Sequence, residues 1–131
     1  MKRHPALQQL SREHHTALKL CRQARLAIAQ ATQNEIAACA ETICRLFPHE
    51  LNPHFLAEEG DLLPALSAAG ESRLVNRTLA EHVELRRLVK LLGQTADRPT
   101  LQAFATLLEE HVRFEERILF EMAQQRLFDE K

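Results

Sequence analysis

A chain of 131 residues has the length of one domain and can bury a single sizeable hydrophobic core. Charged residues make up 27% and hydrophobic residues 45%, a globular composition in which charges interrupt every apolar stretch long before the roughly 20 residues of a membrane span. The 17 basic and 18 acidic residues give a net charge of -1, without the basic excess expected of a nucleic-acid-binding protein.

Apolar residues recur at spacings of three and four along four successive segments, which predicts four amphipathic helices. The first helix is expected from about Pro5 to Ala31. The second is expected from about Gln33 to Leu66, with Asn34 as its N-cap. Pro48 and Pro53 lie inside the second segment and are expected to kink or break it.

The third helix is expected from about Glu71 to Leu92, between Gly70 and Gly93, two glycines that favour helix ends. The fourth is expected from about Pro99 to Phe128. The connections between the segments contain no run of alternating apolar and polar residues, so no strand is predicted. Four helices with short connections predict an all-α, up-down-up-down four-helix bundle that forms one domain over residues 1–131.

Each predicted helix carries a histidine inside its apolar stripe. These histidines are His14, His54, His82 and His111. A lone buried histidine usually donates to a backbone carbonyl, but the carbonyls inside helices are already bonded. Four imidazoles in one core would therefore leave unpaired polar groups that cost about 1–3 kcal/mol each. Coordination of a metal removes that cost, so the pattern predicts a metal site.

Two of these histidines are followed four residues later by a glutamate on the same helix face, in the pairs His54–Glu58 and His111–Glu115. Glu116 could reach the same site from the edge of its stripe, whereas Glu59 is expected to be solvated. A mixed nitrogen and oxygen ligand set suits iron, manganese or zinc. Four imidazoles and two carboxylates are too many for one tetrahedral ion, so two ions are expected and a single ion is the alternative.

Motifs of other metal and catalytic sites do not occur in the sequence. No histidine follows a glutamate by three residues, as in ferritin-like di-iron bundles. The His-Glu-x-x-His motif of zinc proteases and the Gly-x-Ser-x-Gly motif of hydrolases do not occur either.

With four short motifs in order, the chain resembles the hemerythrin-like family, also called the HHE cation-binding domain. The resemblance extends over nearly the whole chain, from His4 to Phe120. The strongest match is the run His54-Phe55-Leu56-Ala57-Glu58-Glu59, which is similar to the family's His-Phe-x-x-Glu element on its second helix. The motifs on the other three helices are Glu13-His14, Glu81-His82 and His111-Val112-Arg113-Phe114-Glu115-Glu116.

The resemblance implies a di-iron site in which His54 and His111 each ligate one iron. Glu58 is implied to bridge the ions together with Glu115 or Glu116. The histidines that would complete the ligand set are His14 and His82. Hemerythrins proper carry a fifth histidine where this chain has Thr78, a poor ligand, so one metal is expected to keep an open or water-filled position. Of the remaining histidines, His4 and His49 are expected outside the ligand set, and His15 is expected to be solvated or at the edge of its stripe.

An open metal position in an apolar pocket favours a small ligand. The expected function is therefore binding or sensing of oxygen, nitric oxide, peroxide or iron, rather than catalysis. The alternatives are a peroxide- or nitric-oxide-consuming di-iron oxidoreductase and a metal-free helical interaction module. The N-terminal sequence has no apolar signal region, so we expect a cytoplasmic protein, either a monomer or a small homo-oligomer.

Overall fold

The computed structural model describes residues 3–30 and 32–128, which form four long helices. These are α1 (Pro5–Gln30), α2 (33–68), α3 (Ser72–Gln94) and α4 (98–128). Consecutive helices pack side by side, and α4 closes the bundle against α1. No strand occurs in the described part of the chain, so the predicted all-α bundle is confirmed. The expected end of the first helix at Ala31 lies outside the described residues.

A kink or break was expected at the two prolines, and the structure has a π-helical turn there, through which the helix α2 continues. Pro48 lies in a π-helical turn, Phe47–Leu51, in which the backbone N–H of Asn52 donates to the carbonyl of Phe47. The wider turn accommodates a residue that has no N–H and whose ring crowds the preceding turn. Pro53 follows in the first turn of the next α-helical stretch, Asn52–Ala57.

Two predicted helix boundaries are wrong. The N-cap of α2 is Thr32 rather than Asn34, because the Thr32 side chain accepts a hydrogen bond from the backbone N–H of Glu35. The helix α3 continues through Gly93 and ends at Gln94. A glycine inside a helix costs free energy but does not stop it when the flanking leucines are held in the core.

Gly70 ends α2 in the way its sequence position predicts. Its φ is +93°, a left-handed conformation that favours glycine. The N–H of Gly70 donates to the carbonyl of Ser67 and the N–H of Glu71 donates to that of Leu66, the two bonds of a Schellman motif. This cap turns the chain into α3.

The core consists of two apolar clusters, one near each end of the bundle. The first contains residues such as Ile43, Leu85 and Phe104, and the second contains Leu7 and Phe120. Along every helix, the histidines of the predicted site lie between members of the two clusters. The bundle therefore holds a polar layer between two apolar layers.

Two residues expected on apolar stripes are partly exposed, Leu79 at 38% and Ile118 at 44%. Thr78 is fully buried beside Leu79, and Leu119 is fully buried beside Ile118. The π-helical turn Glu115–Leu119 shifts the register of the stripe on α4, which accounts for Ile118. No described helix combines the length and the hydrophobicity that crossing a membrane would require.

Replacing Gly70 by alanine should destabilise the protein by about 1–2 kcal/mol, because an L-residue is strained at positive φ. The matched control is Gly60→Ala, at a glycine within α2 where an added Cβ would meet no atom within 4 Å. That control should be neutral or stabilising by up to about 1 kcal/mol. Urea unfolding of the two variants would measure both effects, and equal stabilities would contradict the capping role of Gly70.

Candidate metal centre

Six ionisable side chains form a buried polar layer between the two apolar clusters. Each helix contributes one histidine, and α2 and α4 each add one glutamate. The six residues are His14, His54, Glu58, His82, His111 and Glu115. None of them is more than 4% exposed, so the layer is separated from bulk water.

Glu58 begins the π-helical turn Glu58–Leu62, where its backbone N–H donates to the carbonyls of both His54 and Phe55. Its Oε2 lies 3.3 Å from Nε2 of His54 on the same helix. Its Oε1 lies 3.0 Å from Nε2 of His82 on α3. One carboxylate therefore spans imidazoles from two helices.

Glu115 occupies the equivalent place on α4, at the start of the π-helical turn Glu115–Leu119. Its Oε2 lies 3.2 Å from Nε2 of His111 on the same helix, and its Oε1 lies 2.7 Å from Nε2 of His14 on α1. The same Oε1 is 3.6 Å from Nε2 of His54. Single π-helical turns of this kind are frequent at functional sites. We call Glu58 and Glu115 the inner carboxylates.

The polar layer contains two groups of four potential ligands, and in each group the ligand atoms lie within 4.8 Å of one another. The first group is His14, His54, Glu58 and Glu115, and the second is Glu58, His82, His111 and Glu115. Both groups include both inner carboxylates. Each group offers two imidazoles and two carboxylates to a cation, and the two groups have both glutamates in common.

The other ring nitrogen of every histidine in the layer is bound by a carboxylate outside it. Each Nδ1 lies 2.6–2.8 Å from a carboxylate oxygen, to which the ring N–H donates. The pairs are His14–Glu116, His54–Glu13, His82–Glu59 and His111–Glu81. Every pair joins two adjacent helices, so the four bonds link α1 to α4, α4 to α3, α3 to α2 and α2 to α1 in a closed ring. We call these four glutamates the outer carboxylates.

Three outer carboxylates are supported by arginine. The pairs are Arg86–Glu59, Arg77–Glu81 and Arg3–Glu116. Burial opposes ionisation of these glutamates, but the contacts to histidine and arginine outweigh it and hold the pKa of all three below its usual value. Glu13 differs, because it accepts a hydrogen bond from Gln9 and has no arginine partner in residues 3–30 and 32–128.

The polar layer has an approximate internal twofold symmetry. On α4, His111, Glu115 and Glu116 lie 57 positions after their counterparts on α2, which are His54, Glu58 and Glu59. On α3, the pair Glu81-His82 lies 68 positions after Glu13-His14 on α1. The shift of 57 positions also relates the π-helical turn Glu58–Leu62 to the π-helical turn Glu115–Leu119. The two halves of the site therefore share one local scaffold.

The outer carboxylates fix the protonation of the rings. Because Nδ1 must carry a proton to donate, a neutral ring presents the Nε2 lone pair to the inner carboxylates, whose oxygens are also acceptors. Six such atoms are buried and, while the rings are neutral, meet no hydrogen-bond donor among the described residues: Nε2 of His54, His82 and His111, both oxygens of Glu58, and Oε2 of Glu115. A proton or a metal ion between these atoms turns a repulsive contact into an attractive one, so the donor set fits a bound cation.

Without a metal, protons take that role. Burial alone would lower the pKa of His54, but hydrogen bonds to Glu115 and Glu58 and their charges raise it to about 11. Against the same effect of burial, Glu115 and Glu81 raise the pKa of His111 to about 10. Burial and the charge of Glu115 raise the pKa of Glu58. Burial also opposes ionisation of Glu115, but three neighbouring histidines hold its pKa well below the usual value.

The structure brings six of the seven predicted ligands into the polar layer. The seventh, Glu116, lies outside both four-residue groups and accepts from Nδ1 of His14. The prediction that Glu59 is solvated is wrong, because Glu59 accepts from His82 and Arg86.

Glu13 and Glu81 lie off the apolar stripes and were not predicted as site residues, although both belong to the motifs that carry the family resemblance. The available signal is sequence adjacency, since every outer carboxylate stands next to a residue of the layer. The four adjacent pairs are Glu13-His14, Glu58-Glu59, Glu81-His82 and Glu115-Glu116.

The other histidines lie outside the polar layer. His15 and His49 are exposed, and the His4 ring stacks on Phe128 with 4.1 Å between centroids. Thr78, one helical turn before His82, is fully buried and its hydroxyl donates to the carbonyl of Leu74. The Thr78 hydroxyl hydrogen is therefore engaged within its own helix.

The stability of metal-free protein should fall as the pH rises from about 6.5 to 8.5, below the pH at which free cysteines ionise. His54 and His111 have folded-state pKa values above the unfolded value, so their contribution is complete below about pH 6.5 and is lost as the pH rises towards 10–11. Each can contribute up to about 1.4 kcal/mol per pH unit. Urea unfolding in the presence of a chelator would measure this, and stability that is constant or increases over the interval would contradict the protonated layer.

Comparison with known protein families connects this geometry to one family. A family model described as the hemerythrin HHE cation-binding domain matches residues 6–123. No curated protein and no solved structure gave a match. The matched residues include the whole polar layer and its outer carboxylates. The chain therefore belongs to the hemerythrin HHE cation-binding domain family.

Proposed function

We propose that this chain binds two iron ions in the polar layer, and that it thereby binds or senses a small species such as oxygen, nitric oxide, peroxide or iron itself. His14 and His54 would serve one ion, and His82 and His111 the other. Both inner carboxylates would bridge the ions. The observation that carries the proposal is the pair of buried four-residue groups that share both glutamates.

The chemistry of the donor atoms supports iron. The layer offers imidazole nitrogen and carboxylate oxygen without a thiolate, a combination that suits iron, with manganese or zinc as the alternatives. The cysteine nearest to the layer in sequence is Cys21, whose thiol donates to the carbonyl of Ala105 instead. Bound iron would supply an exchangeable coordination position and electrons for a small ligand.

The protein's own residues orient the ligands and keep water out. Each outer carboxylate holds one imidazole by its Nδ1–H, so that Nε2 faces the inner carboxylates. Phe55 stacks on His82 at 4.1 Å between centroids, and Phe120 lies parallel to His14 at 5.4 Å. These rings and the two apolar clusters favour small uncharged ligands over larger charged substrates.

Thr78 bears on how the two halves would differ. At this position the family resemblance implies a histidine, and Thr78 supplies only a hydroxyl whose hydrogen is already donated to Leu74. A coordination position in the half served by His82 would therefore be left open or filled by water.

Two alternatives make different predictions. A metal-free interaction module would gain stability in His111→Leu, but it would also have to tolerate six buried atoms without partners. An oxidoreductase would turn over hydrogen peroxide many times when loaded with iron, and would lose that activity in His54→Ala. A binding or sensing protein would show no such turnover.

The metal content of protein purified aerobically without a histidine tag tests the proposal. We expect about two iron ions per chain, one for each four-residue group. His54→Ala should lose metal because it removes the imidazole that lies between Glu58 and Glu115 in the first four-residue group. The matched control is His49→Ala, at an exposed histidine on the same helix, and it should keep the metal content of the unmodified protein.

Protein that takes up no metal, even after anaerobic addition of ferrous iron, would refute the metal site. One ion per chain would refute the dinuclear arrangement and favour the single-ion alternative. Equal metal loss in His54→Ala and His49→Ala would place the iron away from the polar layer.

A further inference from the structure

A groove between α1 and α2 lies beside the polar layer. It has a volume of about 620 Å³, and eight of its eleven lining residues are apolar, which makes most of its surface favourable to uncharged molecules. Leu7 and Leu62, which are both buried, also belong to the second apolar cluster. The groove therefore reaches from the surface to the core. We call it the α1/α2 groove.

Glu13 connects the α1/α2 groove to the polar layer. It lines the groove, and its Oε1 accepts the hydrogen bond from Nδ1 of His54 at 2.8 Å. Its side chain is 37% exposed, against 15–33% for the other outer carboxylates. Glu13 is held by Gln9 instead of an arginine, so its side chain is more weakly held than the other outer carboxylates. This side chain separates the groove from His54.

The internal twofold symmetry relates this groove to a smaller pocket between α3 and α4, with a volume of about 250 Å³ against about 620 Å³. The counterpart of Ala57, which lines the α1/α2 groove, is the buried Phe114. The counterpart of Gln9 is Arg77, whose guanidinium lies 3.9 Å from the centroid of the Phe114 ring and also pairs with Glu81. The same local scaffold therefore carries an aromatic ring and an arginine between α3 and α4, but only an alanine between α1 and α2, where the groove is open.

Charge and polarity select what the α1/α2 groove can admit. Its two charged lining residues, Glu13 and Asp61, are both acidic and disfavour an anion. Its apolar lining favours an uncharged molecule over a solvated cation. Ala57 sets the width of the groove. Alanine is the smallest residue that can replace the phenylalanine found at the counterpart position, Phe114, without the added backbone freedom of glycine.

We infer that the α1/α2 groove is the access route by which an uncharged diatomic gas reaches the polar layer, and that Ala57 keeps this route open. The inference rests on the proposed function for what the gas does at the layer. It adds the route of entry and the residues that control passage along it.

Xenon tests the groove independently of any metal, because it binds apolar cavities that water leaves empty. Crystals of the protein under xenon pressure should show xenon between α1 and α2, and Ala57→Phe should abolish it. Iodide soaked into the same crystals should stay out. Iodide in the groove, or xenon absent from it in the unmodified protein, would overturn the inference.

Stopped-flow measurement of nitric oxide binding to the iron-loaded protein tests the route. Ala57→Phe should slow both association and dissociation by about tenfold or more, the factor given by an added barrier of about 1.4 kcal/mol, and leave the equilibrium constant unchanged. Ala65→Phe, further along the groove, should act in the same direction and guards against a folding defect at residue 57. The control Ala103→Phe, at an exposed alanine on α4, should change neither rate.

The outcomes separate the two proposals. Absence of iron from the unmodified protein would refute the proposed function, whatever xenon shows. Normal iron content with unchanged nitric oxide rates in both groove variants would overturn the access route alone. A changed equilibrium constant with unchanged association would also overturn it, because that pattern indicates an altered metal site.

Discussion

Two carboxylates, Glu58 and Glu115, are fully buried at the centre of the bundle and face the Nε2 atoms of four imidazoles. The outer carboxylates require a proton on every Nδ1, so neutral rings would direct lone pairs at lone pairs. Positive charge must therefore enter the polar layer before it is stable. Protons supply this charge in the absence of metal, and metal ions can replace them. Metal binding in this layer, as proposed, would therefore be coupled to folding.

The rest of the bundle is arranged around that requirement. Each histidine is held by a glutamate from an adjacent helix, so the closed ring of four bonds fixes how the helices are rotated relative to one another. The apolar clusters on both sides exclude water, which strengthens every electrostatic contact inside. The twofold scaffold also allows the halves to differ. A wide groove lies beside His54, whereas the Phe114 ring and Arg77 occupy the equivalent position beside His111.

The sequence was sufficient to predict the helices and the four core histidines, because both follow from the 3.6-residue period. It was not sufficient for the outer carboxylates. Glu59 lies about 100° from Glu58 on the helix, and only the packing of α3 against α2 brings it to His82. The π-helical turns were also missed, because the residues of Glu58–Leu62 have the helix propensities of an ordinary α-helix. The N-cap of α2 was predicted two residues too late, at Asn34 instead of Thr32.

Anomalous X-ray scattering at the iron absorption edge can establish whether two cations share Glu58 and Glu115, as proposed. Crystals of iron-loaded protein should show two peaks in the polar layer. One should adjoin the Nε2 atoms of His14 and His54, and the other those of His82 and His111. A single peak, or peaks elsewhere on the protein, would contradict the account.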